Sequence, residues 1–299
     1  MSRKVVEVAG KRLSLSNLRK DIYPSYGFTK AHVLEYYRRI SNFILPHLKD
    51  RALTLKRYPD GTEKDFFFEK RCPEHRPPWV KTAEVLHNEE RMTVCLVNDL
   101  ETLIWVENLA SLELHVPLAR AGSPETPDSI VFDLDPGDQA NILDCAMVAL
   151  ILRDLLSQMR LASYAKTSGK KGLHVYVPLN RKEATFEDTK RFSKVVAEVL
   201  QRNYPDLVTA KMAKESRIKK VFINWSQNDS SKTMICVYSL RAREKPSVSF
   251  PLVWEELDML AKQGDPEKLL IMHSEAVSRL ETKGDLFQEL LTKKQKITI

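Results

Sequence analysis

Ser129-Ile-Val-Phe-Asp133-Leu-Asp135-Pro-Gly137 is an apolar run that carries two carboxylates two positions apart and then breaks at Pro-Gly. Strand side chains alternate faces, so Asp133 and Asp135 project on the same side, roughly 7 Å apart at their Cα atoms. Ile130, Val131, Phe132 and Leu134 draw the segment into a sheet. Two acids at the end of such a strand are electrostatically costly unless something cationic sits there. A divalent metal is the natural candidate; the plain alternative is a pair of solvated acids entering a turn.

Downstream of Gly122-Ser-Pro-Glu-Thr-Pro, a surface break, this strand begins a stretch in which helix and strand alternate. Asp138 is placed to cap a long apolar helix reaching about Met159, and Ser163 to Lys166 and Leu173 to Val177 read as strands around a Ser168-Gly-Lys-Lys-Gly172 turn. Thr185 caps a further helix with Phe192, Val195, Val196, Val199 and Leu200 on one face. Five of the ten residues from Lys211 to Lys220 are Lys or Arg. Val221 to Trp225 and Lys232 to Leu240 are strand-like, and helices dominate from Trp254 onward.

Upstream, Val5 to Val8 and Lys11 to Leu15 suggest a short hairpin, and Thr29 caps a helix that runs to Pro46. Leu53 to Tyr58 and Asp65 to Lys70 read as strands about a Pro59-Asp-Gly61 turn. Cys72 to Trp79 holds three prolines and reads as a loop; strands are expected at Met92 to Val97 and Leu112 to Val116, with a short helix near Leu100 to Leu109.

At 299 residues and 43% hydrophobic content the chain can bury one large core or two modest ones. A net charge of +7 favours an anionic partner, nucleic acid first. Cys72, Cys95, Cys145 and Cys236 are scattered without a C-x-x-C, which argues for free thiols in a reducing, cytoplasmic compartment. Cys72-Pro-Glu-His75, with His87 and Cys95 beyond, lacks the second close pair of a structural zinc site. The longest apolar run, around Ala146 to Leu152, is too short to span a bilayer, so no membrane role is expected.

Three further features carry chemistry. His174 looks out from the strand face opposite Leu173, Val175 and Val177, just after a Gly-bounded turn whose amides, with Lys170 and Lys171, suit a phosphate. Asn224 sits in an apolar run where an unpaired amide is penalised, so it needs a partner. Arg241 and Arg243 put two guanidiniums on one face of an extended segment, a fork suited to bidentate phosphate contacts.

As an ordered set these pieces resemble the polymerase domain of bacterial and archaeal end-joining DNA repair systems, often fused to an ATP-dependent DNA ligase, within the archaeo-eukaryotic primase superfamily. The resemblance runs from Ser16-Asn-Leu-Arg-Lys20 through Thr29-Lys-Ala31, Lys56-Arg-Tyr-Pro59, Phe66-Phe-Phe-Glu-Lys70 and Glu113-Leu-His-Val-Pro117. It continues through Phe132-Asp-Leu-Asp-Pro136, Ser168-Gly-Lys-Lys-Gly-Leu-His174 and Tyr238-Ser-Leu-Arg-Ala-Arg243 to Pro251-Leu-Val-Trp-Glu-Glu256. It implies an α/β (α+β) primase-polymerase fold as one catalytic domain over 1–299, with a possible internal boundary near 122. A central antiparallel or mixed sheet would carry the metal site between helices, with an N-terminal αβ portion packed against it.

By the same resemblance, Asp133 and Asp135 would hold two divalent ions, Mn²⁺ or Mg²⁺, with no organic cofactor. Lys56, Ser168, Lys171, Arg217, Gln227, Arg241 and Arg243 would position a nucleoside triphosphate, while His115 and His174 shape its pocket. Asn17, Lys20 and Lys30 would take the recessed 5′-phosphate of a double-strand break, and Phe67 and Phe68 would stack on template bases. The implied function is gap filling at broken ends in non-homologous end joining, with ribonucleotides preferred, beside DNA in the cytoplasm. The ligase and an end-binding protein would be partners; ligase or nuclease modules would be separate proteins or trimmed away.

The chain departs from the family at Asn224, where a third metal-binding Asp is expected. The near-isosteric amide is read as an introduced change that traps a substrate complex, natural weakening being the other origin; either way turnover should fall while binding survives. The rival functions are a non-catalytic module that binds and bridges DNA ends, and a stand-alone primase.

Overall fold

In the computed structural model, which describes residues 3–87, 90–181 and 183–298, Ser129–Pro136 is the third strand of a six-stranded sheet. The order is Val208–Thr209, Val221–Asn224, Ser129–Pro136, Leu173–Pro178, Tyr164–Thr167 and Pro251–Leu252. Every neighbouring pair is antiparallel except Val208–Thr209 with Val221–Asn224, so the sheet is mixed. The Ile130 to Leu134 side chains are buried, which is the hydrophobic drive that holds the acid-bearing strand near the middle of the sheet.

This sheet belongs to one of two compact units, Ser123–Lys232, Ser249–Ile271 and Leu286–Ile299. Helix Ile142–Gln158 packs on it through Cys145, Ala146, Val148, Ala149, Leu152 and Leu156. The cap of that helix is Asn141, not the expected Asp138: Asn141 Oδ1 accepts from Leu143 N at 2.7 Å, and Asp144 Oδ2 accepts from Asn141 N at 2.7 Å. A reciprocal cap wants a side-chain acceptor three residues on, and Asp144 supplies one only to residue 141. Asp138 is instead occupied in a turn, its carbonyl accepting from Lys219 N. Helix Phe186–Asn203 starts at Thr185 as expected, with Thr185 and Asp188 capping each other.

The other unit comprises Met1–Gly122, Thr233–Val248 and Met272–Asp285. Its four-stranded sheet runs Met234–Ile235, Ser111–Val116, Thr54–Arg57 and Phe67–Glu69. Hairpins Arg3–Val8 with Lys11–Ser16 and Thr82–His87 with Glu90–Cys95 accompany it; the strand Thr82–His87 had no counterpart in the sequence reading. Helix Lys30–Leu48 continues two residues past Pro46. Only the carbonyl of Asn42 loses its donor there, and Asn42 is exposed, so water can replace the bond.

Two further expectations are corrected. Lys232 to Leu240 is not one strand: it pairs only at Met234–Ile235 and Leu240–Arg241. Tyr238 takes a left-handed φ of 66°, and Ser239 N donates to Cys236 O, so the chain turns between the two pieces. Nor are all four cysteines free. Cys72 and Cys95 form a disulfide with Cα atoms 4.9 Å apart, because the proline-rich loop folds back on the hairpin, Cys72 N donating to Thr93 O. Cys145 and Cys236 are free and buried. No helix among the described residues is long and apolar enough to cross a membrane.

Candidate active site

One register row crosses the six-stranded sheet: Asn224 opposes Asp133, Asp133 opposes His174, and His174 opposes Lys166. Directly opposed residues share a face, so four polar side chains from four strands meet on the side where the D-x-D acids project. Asp133 Oδ1 lies 3.3 Å from His174 Nε2, while its Oδ2 accepts from Asn224 Nδ2 and Gln227 Nε2, each at 3.3 Å. His174 is buried, and so is Lys166, whose ammonium donates to Ser249 Oγ at 2.5 Å.

Asp135, two residues on, has its carboxyl pushed up to about 7, first by burial and then by the charge of Asp133, with Arg217 opposing. A pair of like charges that resists full ionisation is a donor set that a divalent cation suits, because the cation relieves both burial and repulsion. Among the described residues no group of three His, Cys, Asp or Glu is gathered as a metal site. Asp133 is met instead by the carboxamide of Asn224.

Two glycines set the rim. A Cβ on Gly137 would lie 1.9 Å from Arg217 O, and one on Gly172 would lie 2.1 Å from Leu134 O. Neither approach is possible for another residue, and together they bring the Arg217 loop and the Ser168 turn against the acid-bearing strand. The Arg217 guanidinium stacks on Phe222 with Cζ 3.8 Å from the ring centroid, and its Nη2 donates to Met212 O. The Ser168 turn is closed on itself: Ser168 Oγ accepts from Lys170 N at 3.2 Å and Gly172 N at 3.1 Å. Two amides that the sequence offered to a phosphate are therefore committed to the serine. Lys171 is exposed.

The other predicted nucleotide contacts lie in the Met1–Gly122 unit around Glu113, which is almost fully buried. Glu113 Oε2 lies 3.1 Å from His115 Nε2 and 4.0 Å from Lys56 Nζ; Oε1 lies 3.5 Å from Arg241 Nε and accepts from Ala242 N at 2.9 Å. One carboxylate thus gathers three of the predicted side chains, and Arg243 is exposed beyond them. Burial outweighs Glu113 at His115 and lowers its pKa. Lys56 lies 3.8 Å from the Phe66 ring centroid and 5.6 Å from that of Phe68. Phe66, Phe67 and Phe68 are all about half exposed, yet Phe67 is on the alternate side of its strand, against Arg57.

Asn17, Lys20 and Lys30 come together in the same unit. Asn17 adopts a left-handed φ of 55°, its carbonyl accepts from Lys20 N, and Lys20 O accepts from Lys30 N. Lys20 Nζ reaches Asp60 at 2.6 Å in an exposed pair. Lys30 is buried, its ammonium donating to Ser16 O, Ser16 Oγ and Asn108 O. Burial and the neighbouring Arg57 and Lys20 lower its pKa to about 8.

Residues 29–287 match the family described as LigD, primase-polymerase domain. The chain belongs to the LigD primase-polymerase family. As such it is a nucleotidyltransferase domain of mixed α/β fold. The multifunctional non-homologous end joining protein LigD of Mycolicibacterium smegmatis is 39% identical over 282 residues, covering 94% of this chain and 36% of the relative. The bifunctional LigD of Bacillus subtilis is 34% identical over 270 residues, covering 85% and 43%. The chain therefore spans about two fifths of these relatives' length. The polymerase domain of Mycobacterium tuberculosis ligase D, solved in complex with DNA, superposes with a TM-score of 0.87 at 37% identity, covering 95% of this chain and 99% of that one.

Sequence reasoning gave no role to Glu113, Lys166, Ser226 or Lys232. Glu113 carried a signal of the same kind as the D-x-D pair: in Ser111-Leu-Glu-Leu-His-Val116 it shares a face with His115. Lys166 gains meaning only from a pairing distant in sequence, with Ser249, whereas Ser226 and Lys232 pair with close neighbours that no spacing rule singles out.

Proposed function

We propose that this LigD primase-polymerase domain extends DNA ends at double-strand breaks, adding nucleotides opposite a template in non-homologous end joining. The observation that carries the reading is the Asp133–Asp135 pair, held on one strand face with His174, Asn224 and Gln227 converging on Asp133. The DNA bound to the M. tuberculosis relative supports DNA as the partner.

In the transfer the primer 3′-oxygen bonds to the α-phosphorus as the bond to the pyrophosphate oxygen breaks, and the hydroxyl proton passes to solvent. Divalent ions bound at Asp133 and Asp135, Mn²⁺ or Mg²⁺, would supply the Lewis acidity that stabilises charge on the phosphoryl oxygens and activates the hydroxyl. The chain's own groups do the rest by position. His174 orients Asp133, Arg217 brings a cation beside Asp135, and Lys171 and Ser168 offer phosphate contacts at the adjoining turn. Glu113 fixes Lys56, His115 and Arg241 as a preorganised nucleotide-binding set, with Arg243 at its edge. Asn17, Lys20 and Lys30 serve the 5′-phosphate, and Phe68, with Phe67 and Phe66, the template. Stacking of that kind is worth about 1–3 kcal/mol per base and reads no sequence. Ribonucleotide preference, an ATP-dependent ligase and an end-binding protein are part of the same proposal.

The test is primer extension on gapped, 5′-phosphorylated DNA with Mn²⁺ or Mg²⁺, comparing the parent with Asn224→Asp. A third carboxylate should raise the rate at least about tenfold, or roughly 1.4 kcal/mol of barrier; an unchanged rate removes position 224 from the mechanism. Separate trials with ribo- and deoxyribonucleotides check the sugar preference, and synthesis without a primer would mark a stand-alone primase.

A second reading, a non-catalytic module that bridges ends, is favoured by one observation: the amide of Asn224 already spends its N–H on Asp133. Loss of end binding in Lys20→Ala/Lys30→Ala, with no nucleotide affinity in the parent, would select it.

A further inference from the structure

Asn224 is held by a hydrogen-bond relay that fixes which way its carboxamide faces. Lys232 Nζ donates to Ser226 Oγ at 2.7 Å, and Ser226 Oγ donates to Asn224 Oδ1 at 2.8 Å. An ammonium has no acceptor, so the serine oxygen accepts from Lys232, and because the carboxylate of Asp133 on the far side of the amide only accepts, the serine proton goes to Asn224 Oδ1. The oxygen of the amide is thereby committed to Ser226, and its NH₂ is left to donate to Asp133 Oδ2 at 3.3 Å. The amide orientation follows from this donor and acceptor accounting rather than from the shape of the side chain.

The relay is built into the local fold. Val221–Asn224 ends in a single helical turn, Trp225–Gln227, that buries Ser226, and Asn228 closes the turn by donating to Trp225 O and Val131 O. Lys232 returns over the turn partly buried, near Asp229 and the Lys190–Asp229 ion pair. Its position is not that of a lysine held out in solvent.

We propose that Ser226 and Lys232 are positioning residues that hold residue 224 as a hydrogen-bond donor to Asp133, so that the Asp133–Asp135 site presents one oxygen ligand fewer to a divalent cation. This rests on the polymerase reading for its metal consequence, but the relay itself is a property of the metal-free protein. A donor facing Asp133 offsets part of the charge that a cation would otherwise neutralise. To act as a ligand the amide must turn over and stop accepting from Ser226, which leaves the serine O–H without its acceptor while its oxygen still takes the Lys232 hydrogen bond.

The experiment has two readouts on the whole chain. In ¹H–¹⁵N spectra without metal, the side-chain amide of Asn224, identified by its absence in Asn224→Asp, should shift in both Ser226→Ala and Lys232→Met; an unchanged resonance in both overturns the relay. In Mn²⁺ titrations followed by electron paramagnetic resonance, Ser226→Ala should bind the ion at least threefold more tightly, because the amide oxygen is released; equal or weaker binding overturns the metal consequence. Lys232→Met also removes a positive charge nearby, so only its amide spectrum is used. Asp133→Ala separates the two hypotheses: if Mn²⁺ binding survives it, the polymerase reading fails, while the amide spectrum still decides the relay.

Discussion

Asp133 and His174 face each other across two antiparallel strands, Oδ1 and Nε2 3.3 Å apart, and both are buried. The sheet register, not a loop, fixes this contact, so the carboxylate is oriented before any ligand arrives. His174→Ala should cut primer extension by more than tenfold, with triphosphate affinity reduced and the thermal midpoint lowered by only a few degrees. His174→Gln, which keeps a donor, should recover part of the loss; steady-state kinetics beside thermal denaturation distinguish orientation from folding.

Glu113 is the corresponding anchor in the other unit. Glu113→Ala leaves Lys56 and Arg241 without their shared carboxylate and Ala242 N without its acceptor. A cost on the order of 3 kcal/mol follows from breaking a buried charged set at one member. Glu113→Gln keeps an acceptor for the amide and should cost less. Urea unfolding curves check the order, with Glu113→Ala least stable.

What the sequence made legible was local. Alternation along Ser129–Pro136 showed that Asp133 and Asp135 share a face, and the same logic turned His174 away from its aliphatic neighbours. That these residues meet, and that the partner Asn224 needed is Asp133, depends on register between strands about 40 and 90 positions apart, which no local pattern encodes. The cap at Asn141 was missed because Asp138 offers a comparable capping side chain slightly earlier, and only the acceptor at Asp144 decides between them. The Cys72–Cys95 bond was hidden for the opposite reason: nothing in the spacing shows the loop folding back onto the hairpin.

That disulfide closes a loop with a sequence separation of 23. Loop closure of this size constrains the unfolded chain by about 3 kcal/mol in the entropic account. Cys72→Ser and Cys95→Ser should each lower the thermal midpoint, and dithiothreitol should lower that of the parent to match while leaving the variants unmoved. A midpoint indifferent to reductant in every protein would contradict the bond.

Lys30 gives the account a pH dependence. Its pKa is lowered from the ordinary lysine value to about 8, chiefly by burial. The folded form thus releases a proton more readily than the unfolded chain, so this group adds stability as pH rises from about 8 towards 10.5, and opposes folding below that window. For the proposed 5′-phosphate contact the sign is reversed: the cation is lost above about 8. The preference for 5′-phosphorylated over 5′-hydroxyl ends should decline between pH 7 and 9, and Lys30→Arg, always charged, should flatten that decline. Fluorescence anisotropy with the two end types checks it.

The central claim is that Asp133 and Asp135 together hold the cation that a nucleoside triphosphate needs. Calorimetric titration of the triphosphate into the parent, Asp133→Ala and Asp135→Ala, each with and without Mn²⁺, tests it most directly. The account predicts binding in the parent that Mn²⁺ strengthens at least tenfold, and no Mn²⁺ enhancement in either variant. Equal enhancement in all three proteins would place the cation elsewhere and contradict the assignment of this strand as the catalytic one.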